Sequence, residues 1–413
     1  MNQRKIFNKI IIAFVSLLFM ACKSSPELKT GLWRGEIPTA IGLLPIHFEI
    51  TNDNTTFNTY VINGEERLEF DTTYIQGDSV YFKMDIFDAE IVAKINGYKL
   101  EGFFRKKMAN LSLREGKFTA EYKKPERFFS PDHSPPKVLS NKYEVVFNDG
   151  ENSYPAVGVF KQTNDLVLGT FLTSTGDYRY LQGNVFKDSL MLSCFDGNHI
   201  FIFKAQIKGD SLVGGKFCYS LSGIETWNGI ANQNASLPDP NSLTYLKPGY
   251  SSINFSFPDL EGKKVSLKDE KFKNKVVVVQ VLGSWCPNCM DETRFLADFH
   301  KKYQKKGFET VGLAFEKSLE PNFANPRIER IKKRFGVEYP ILLAGLNDKE
   351  DASNKLPMLN KIISFPTTII IDKKGNVRKI HTGFSGPGTG VYYEKFISDF
   401  THTIESLLEE KII

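Results

Sequence analysis

Between Gly31 and about Trp227 the chain alternates apolar and polar residues in short runs, among them HFEI, FNTYVING, TTYIQGDSVYFKM, EIVAKINGYKLEGFF, YEVVFNDG, AVGVFK, LVLGTFL and IFIFKAQIKGDSLVGGKF. A period of two puts one set of side chains on a buried face and the other in water. With turn signals between the runs, the pattern predicts an all-β sandwich or barrel. Pro125, Pro131, Pro135 and Pro136 mark a linker in its middle, and on either side of that linker the punctuation repeats. Asp78-Ser79-Val80, Phe87-Asp88, Ala93-Lys94-Ile95 and Leu100-Glu101-Gly102 find counterparts in Asp188-Ser189-Leu190, Phe195-Asp196, Ala205-Gln206-Ile207 and Leu212-Val213-Gly214. A repeat of roughly a hundred residues suggests a duplicated β-domain more than a solenoid, whose units run about 20 to 50 residues. Turn chemistry alone also produces such coincidences. The expected β-rich units are residues 22–127 and 137–232.

Ala231 to Gly249, rich in Asn, Pro and Ser, reads as a boundary, and the periodicity changes after it. Val276 to Leu282 (VVVVQVL) is a continuous, mostly β-branched run, as expected of a central strand covered on both faces. A helix is expected from Cys286 to about Lys306, followed by FETVGLAF, a helix around Pro326 to Phe335, TTIIID, a turn at Lys373 to Asn376, VRKIHTG and a last helix. In that last helix Tyr393, Phe396, Phe400, Ile404 and Leu407 make one apolar stripe. Strands alternating with helices predict an α/β sheet over residues 247–413. The fold class is therefore multidomain, with an all-β region, a duplicated sandwich or barrel, followed by a C-terminal α/β domain.

At the N-terminus Arg4, Lys5 and Lys9 precede the apolar run Ile10 to Ala21. That length suits a signal-peptide core and is too short to cross a hydrocarbon layer of about 30 Å. Ala21 before Cys22 resembles the lipobox of bacterial lipoproteins, with Phe19 where that motif usually has Leu. The likeness implies cleavage of residues 1–21, lipid on Cys22, and a cell-envelope protein facing the periplasm or the cell surface. An ordinary cleaved signal and an uncleaved anchor are the alternatives.

Composition adds less. The 413 residues are 41% hydrophobic and 24% charged, a folded protein of two or three domains. The formal net charge of +5 comes without a dominant basic block, so nucleic acid is not expected as a partner. Of five cysteines, Cys194 and Cys218 lie in apolar strand-like segments. They read equally as a disulfide, which an oxidising compartment permits, or as two separate buried thiols.

The chemistry is concentrated where Val276 to Leu282 gives way, through Gly283, Ser284 and Trp285, to Cys286-Pro287-Asn288-Cys289. The first turn of a helix leaves N–H groups unpaired and carries about half a positive charge, which favours a thiolate there. Cys286 falls at the cap and Cys289 one turn in. Cys286 is thus expected to be the exposed nucleophile and Cys289 the buried resolving thiol. Structural zinc is disfavoured, because there is no second CxxC and no HxxxH or CxxH pair; no metal or cofactor is expected. A peroxiredoxin would carry Pro and then Thr or Ser ahead of its cysteine, where Val279 and Gly283 stand, which leaves thiol peroxidase activity a minor alternative. GFSGPGTG from Gly383 lacks the Lys-Ser or Lys-Thr of a phosphate loop and reads as a loop into the last helix.

In this setting the C-terminal domain resembles the thioredoxin superfamily, and within it the TlpA/ResA group of membrane-attached disulfide reductases. Trp285 precedes the first cysteine, Phe365-Pro366-Thr367-Thr368 looks like the cis-proline loop, and KKGNVRKIHTG resembles the closing hairpin. Glu292 stands where ResA-like members place a functional glutamate, Glu316 resembles a second acidic residue of their site, and Gln280 occupies the place of thioredoxin's own buried acid. The resemblance implies a thioredoxin-like fold and a cis bond before Pro366. It also implies that Phe365, Pro366, Trp285 and Glu316 serve substrate binding, and that a disulfide-containing protein substrate and a membrane-bound electron donor are the partners. Glu292, one turn beyond Cys289, would take the proton of that thiol as it attacks the mixed disulfide; Asp291 reads as a solvated acid that complements the helix dipole. A rival reading gives the main work to the β-repeats as a binding module, with Trp33 and Trp227 as ligand platforms. The combined expectation is an enzyme whose β-module selects substrate, orients the active site or spaces it from the membrane.

Overall fold

A computed structural model describes residues 27–412 apart from residues 54, 109, 111 and 130–133; the signal segment and Cys22 lie outside the described residues. The alternating region folds into two nine-stranded sheets with the same strand order. In the first, the strands from Gly31–Thr39 to Leu113–Tyr122 run as an antiparallel meander, and the last pairs with the first from Trp33↔Tyr122 to Glu36↔Thr119. Eight strands thereby close a barrel, while the short strand Glu66–Glu69 stands outside the ring and pairs only with Phe57–Asn63. The second sheet repeats this from Lys142–Asn148 to Ile224–Ala231, closed by Tyr143↔Ala231, with Gly176–Asp177 as its outside strand.

The repeated triplets occupy equivalent stations down to the register. Val80 faces Ala93 as Leu190 faces Ala205, and Ile95 faces Leu100 as Ile207 faces Leu212. Shared turn residues alone would not conserve both partners across a ladder, because a slip of one residue turns every side chain to the other face.

Large aromatic side chains fill both barrels. Trp33, Phe48, Phe82 and Phe118 are buried in the first, and Phe147, Phe171, Phe203, Phe217 and Trp227 in the second. Trp33 and Trp227 are 0% and 1% exposed, which corrects their reading as ligand platforms: they are core residues. Cys194 and Cys218 are both buried and unpaired. The linker residue Arg127 joins the barrels, donating to Ser193 Oγ of the second at 2.8 Å and to the Ile62 carbonyl of the first at 2.8 Å.

The C-terminal domain is a thioredoxin-like fold. Its five-stranded sheet runs Ile341–Leu346, Phe308–Glu316, Val276–Leu282, Thr367–Ile371, Val377–Thr382, and every residue of the central strand Val276–Leu282 is buried. Helices α1 (Pro287–Tyr303), α2 (Pro321–Phe335), α3 (Lys349–Lys355) and α4 (Val391–Glu409) accompany it. The stripe of α4 buries Phe396, Phe400, Ile404 and Leu407, as its spacing predicts. Helix α2 begins five residues before Pro326, not at it. Pro321 takes the first position, where no N–H is needed, and Pro326 lies inside at the sacrifice of one intrahelical bond.

One face of α2 also docks the domain. Arg327, Arg330 and Arg334, spaced three and four apart, reach the first barrel: Arg327 and Arg330 pair with Asp88 at 2.6 and 3.2 Å, and Arg334 pairs with Asp71.

Candidate active site

Cys286 is the N-cap of α1, with extended backbone (φ −106°, ψ 109°), and Pro287 occupies the first helical position. Its sulfur accepts from the Cys289 N–H at 3.2 Å, so a thiolate formed there meets an orphan donor at the positive end of the helix. The two cysteines are paired in a disulfide, Cα to Cα 5.2 Å. Cys286 retains 7% exposure and Cys289 none, which decides which sulfur an incoming disulfide can meet.

Across from Cys286 lies the loop that carries the Phe365–Pro366 bond, which is cis. The Phe365 carbonyl oxygen is 3.4 Å from Cys286 Sγ. Trp285 crosses Phe365 edge to face at 5.4 Å and donates from its indole to the Phe315 carbonyl at 2.9 Å. Trp285 and Phe365 therefore line the cleft at the Cys286 sulfur, with Pro366 next in the chain.

Two carboxyls lie beneath. Glu292 on α1 is fully buried; Thr368 donates to its Oε1 at 2.5 Å and Gln280 to its Oε2 at 2.9 Å. Burial raises the Glu292 carboxyl to about 7, against the opposing pull of those two donors. The Gln280 amide also reaches the Cys289 carbonyl at 3.4 Å, and its oxygen accepts from Thr293 at 3.1 Å. Gln280 is thus a neutral bridge between the acid and the backbone of the second cysteine.

Glu316 differs from expectation. Its side chain is fully buried and both oxygens accept from Ser284, from the N–H at 2.8 Å and the hydroxyl at 2.5 Å. Burial raises this carboxyl to about 7 as well. Its partners place it under the turn that leads into Trp285 and Cys286, so it is a positioning residue of that loop and not a substrate contact.

The second barrel completes the site from outside the domain. The hairpin that carries its extra strand bends over the redox loop: Ser364 Oγ donates to the Thr175 carbonyl at 2.7 Å, Asn288 to the Asp177 carbonyl at 3.3 Å, and the Gly386 N–H to Asp177 Oδ2 at 2.7 Å. Two residues on, the fully buried Arg179 pairs with Glu66 of the first barrel (2.9 Å), with Asp291 of α1, and more distantly with Asp196 (3.6 Å). Asp291 is therefore not a solvated helix acid but one corner of a buried charge cluster that joins all three domains.

Sequence reasoning did not find Arg179, Thr175 or the Asp196–His199 pair (2.9 Å), which lie more than eighty residues from the cysteines. One signal existed. The repeat aligns Asp88 with Asp196, and both prove to be anchors of inter-element charge clusters.

Residues 247–394 match the Redoxin family. The chain is similar to the thiol-disulfide oxidoreductase ResA of Bacillus thuringiensis subsp. konkukian, 28% identical over 156 residues that make up 38% of this chain and 80% of that protein. Against ResA of Geobacillus thermodenitrificans it is 31% identical over 144 residues, 34% of this chain and 72% of that one. Among solved structures, a thiol:disulfide interchange protein of the thioredoxin family from Chlorobium tepidum is 24% identical, with a TM-score of 0.30, over 38% of this chain and 95% of that chain.

Proposed function

The chain belongs to the TlpA/ResA-like thiol-disulfide oxidoreductases of the thioredoxin superfamily, and on that premise we propose that it reduces protein disulfides while tethered to a membrane through lipid on Cys22. The observation that carries the reductase reading is the asymmetry of the sulfurs: Cys286 at a helix cap with 7% of its surface in the cleft, Cys289 fully buried one turn in. In the reduced protein the Cys286 thiolate attacks one sulfur of a substrate disulfide, forming a mixed disulfide and expelling the other sulfur as a thiolate. Cys289 then loses its proton and attacks Cys286, closing the Cys286–Cys289 bond and releasing the second substrate sulfur. Two electrons have moved from the pair to the substrate. A membrane-bound dithiol donor returns them, and the protein faces the periplasm or the cell surface.

Trp285, Phe365 and Pro366 hold the substrate backbone beside Cys286, and Glu292, one helical turn beyond Cys289, receives the proton of that thiol. A carboxyl that titrates near pH 7 suits that task, since it is ionised in part at neutral pH and still basic enough to accept. Glu292→Gln is expected to slow turnover by about 10²-fold and to remove a rise in rate centred near pH 7. A variant with the wild-type pH profile would exclude Glu292 as the base.

The same group predicts a stability trend. Below the ordinary glutamate value of 4.5 the carboxyl is neutral in folded and unfolded chains alike. Between about 4.5 and about 7 the unfolded chain ionises while the folded one stays protonated, so stability falls as pH rises across that window and stays lowered above it. Glu292→Gln should remove its own share of this fall, and Glu316, raised to the same value, contributes a like share.

The reductase direction is tested by equilibrating the chain from residue 23 onward in thiol-disulfide buffers. A midpoint below roughly −220 mV for the Cys286–Cys289 pair is expected of a reductase. A midpoint near roughly −120 mV would make it an oxidant, and a pair that does not cycle would remove the enzymatic reading of this site.

A further inference from the structure

The cleft at Cys286 does not end at the redox loop. It has a volume of about 210 Å³, with Tyr178 and His199 of the second barrel facing Trp285, Cys286 and Phe365. Asn198 and His199 are also walls of a second cleft of about 430 Å³, so the two volumes adjoin across that loop. The second cleft lies where all three domains meet and is lined by Lys106 and Arg114 of the first barrel and by Lys317, the residue after Glu316. Its lining contains no Asp or Glu.

Cations drawn together repel one another, and that repulsion bears on Lys106 against the pull of Asp196 and Asp88. Burial first, and then Lys317, push the Lys106 ammonium down to about 8. Lys317 is lowered too, chiefly by burial. The nearby carboxylate Asp88 is already held between Arg327 and Arg330. Among the described residues neither Arg114 nor Lys317 has a carboxylate within ion-pair distance.

The walls are fixed. Lys106 donates to the Asn198 carbonyl at 3.2 Å and to its side-chain oxygen, and Asp196 Oδ1 accepts from the N–H groups of Asn198 and His199 at 2.9 and 2.6 Å. The loop between the two clefts is therefore tied to a cation on one side and to the Arg179 cluster on the other.

We propose that these two adjoining clefts together bind the substrate as an extended polypeptide segment that crosses the Asn198-His199 loop, with its disulfide cysteine at Cys286 and its acidic residues, a few positions away, among Lys106, Arg114 and Lys317. The inference rests on the reductase reading of Cys286 and adds what that reading lacks, a substrate class. Two clefts that adjoin across a fixed loop suit an extended chain crossing that loop better than the face of a folded domain. Three cations without anionic partners in the lining attract acidic side chains and disfavour basic ones. The β-barrels then take part in the reaction by selecting what reaches the sulfur.

The test uses the reduced chain from residue 23 onward and synthetic peptides that carry one reporter disulfide, with Glu, Gln or Lys at positions two to five on either side of the cysteine. On one of the two sides, the Glu peptide is expected to exceed the Gln peptide about tenfold in kcat/KM at low salt, mainly through KM, with the Lys peptide slowest and the spread shrinking at high salt. The double substitution Arg114→Glu with Lys317→Glu should reverse the order of the Glu and Lys peptides, a change of ratio that loss of folded protein cannot mimic. Equal values for Glu and Gln peptides on both sides, or an order untouched by the double substitution, would overturn the proposal and leave the reductase reading standing. Failure to reduce any peptide would overturn both.

Discussion

Cys286→Ser is expected to reduce turnover to the uncatalysed background, whereas Cys289→Ser should halt the reaction one step later, with substrate held covalently on Cys286. The difference follows from exposure. A substrate disulfide meets Cys286, which is 7% exposed at the helix cap, and has no approach to Cys289, which is fully buried. With Cys286 absent, no attacking thiolate remains at the cleft. With Cys289 absent, the attack proceeds but nothing displaces the substrate, so the mixed disulfide persists and appears as a mass increase that a reductant removes. Cys194 and Cys218 are buried in the barrels and should not contribute to either result while the chain is folded. Turnover by Cys286→Ser, or a Cys289→Ser protein that never accumulates the adduct, would reverse or void these roles.

Arg179→Ala should have the largest effect on stability. The guanidinium is fully buried and faces Glu66, Asp291 and Asp196, so its removal leaves acidic groups from three domains without their shared counter-charge. Breaking a buried pair in this way costs about 3–5 kcal/mol, far above the value of an exposed pair. The expected observation is a lower urea midpoint with earlier proteolysis at the domain junctions. Arg179→Lys should recover only part of the loss, because a single ammonium does not reproduce the forked geometry that serves three carboxylates. A midpoint unchanged in Arg179→Ala would mean that the domains are held by other contacts, above all the arginine face of α2 on Asp71 and Asp88.

These two predictions divide along what is legible in the sequence. Cys286 and Cys289 are readable because their chemistry is local: a β-branched strand, a Trp-Cys-Pro junction and the start of a helix are consecutive in the chain. Glu292 is one helical turn further on. The cis Pro366 loop is some eighty residues away, yet carries its own motif. Glu316 is legible as a residue near the site but not in its role, because a sequence does not show which way a carboxylate at the end of a strand will turn. Its burial beneath Ser284 does.

Arg179 belongs to the other class. Nothing in the run Gly176-Asp177-Tyr178-Arg179 distinguishes it from an ordinary hairpin end. It becomes the hub of three domains only when the second barrel's extra strand reaches over α1, 112 residues away in sequence. The equivalent hairpin of the first barrel, which carries Glu66, meets both neighbours: the Gly64 N–H donates to Gln182 of the second barrel at 2.9 Å, and its Glu69 carbonyl accepts from Arg334 of α2 at 2.8 Å. Duplicated elements with the same register have thus been put to different uses by where each barrel lies.

By itself, then, the sequence determined the element types, the duplication and the redox pair, because hydrophobic period, turn residues and a helix cap act over a few neighbouring positions. Only the tertiary structure decided that the sheets close into filled barrels, that Trp33 and Trp227 are core residues, that a barrel hairpin bends over the redox loop, and that the basic cleft from Lys106 to Lys317 adjoins the one at Cys286. Those outcomes depend on long-range packing and on charges brought together from distant segments, and such pairings leave no periodic trace along the chain.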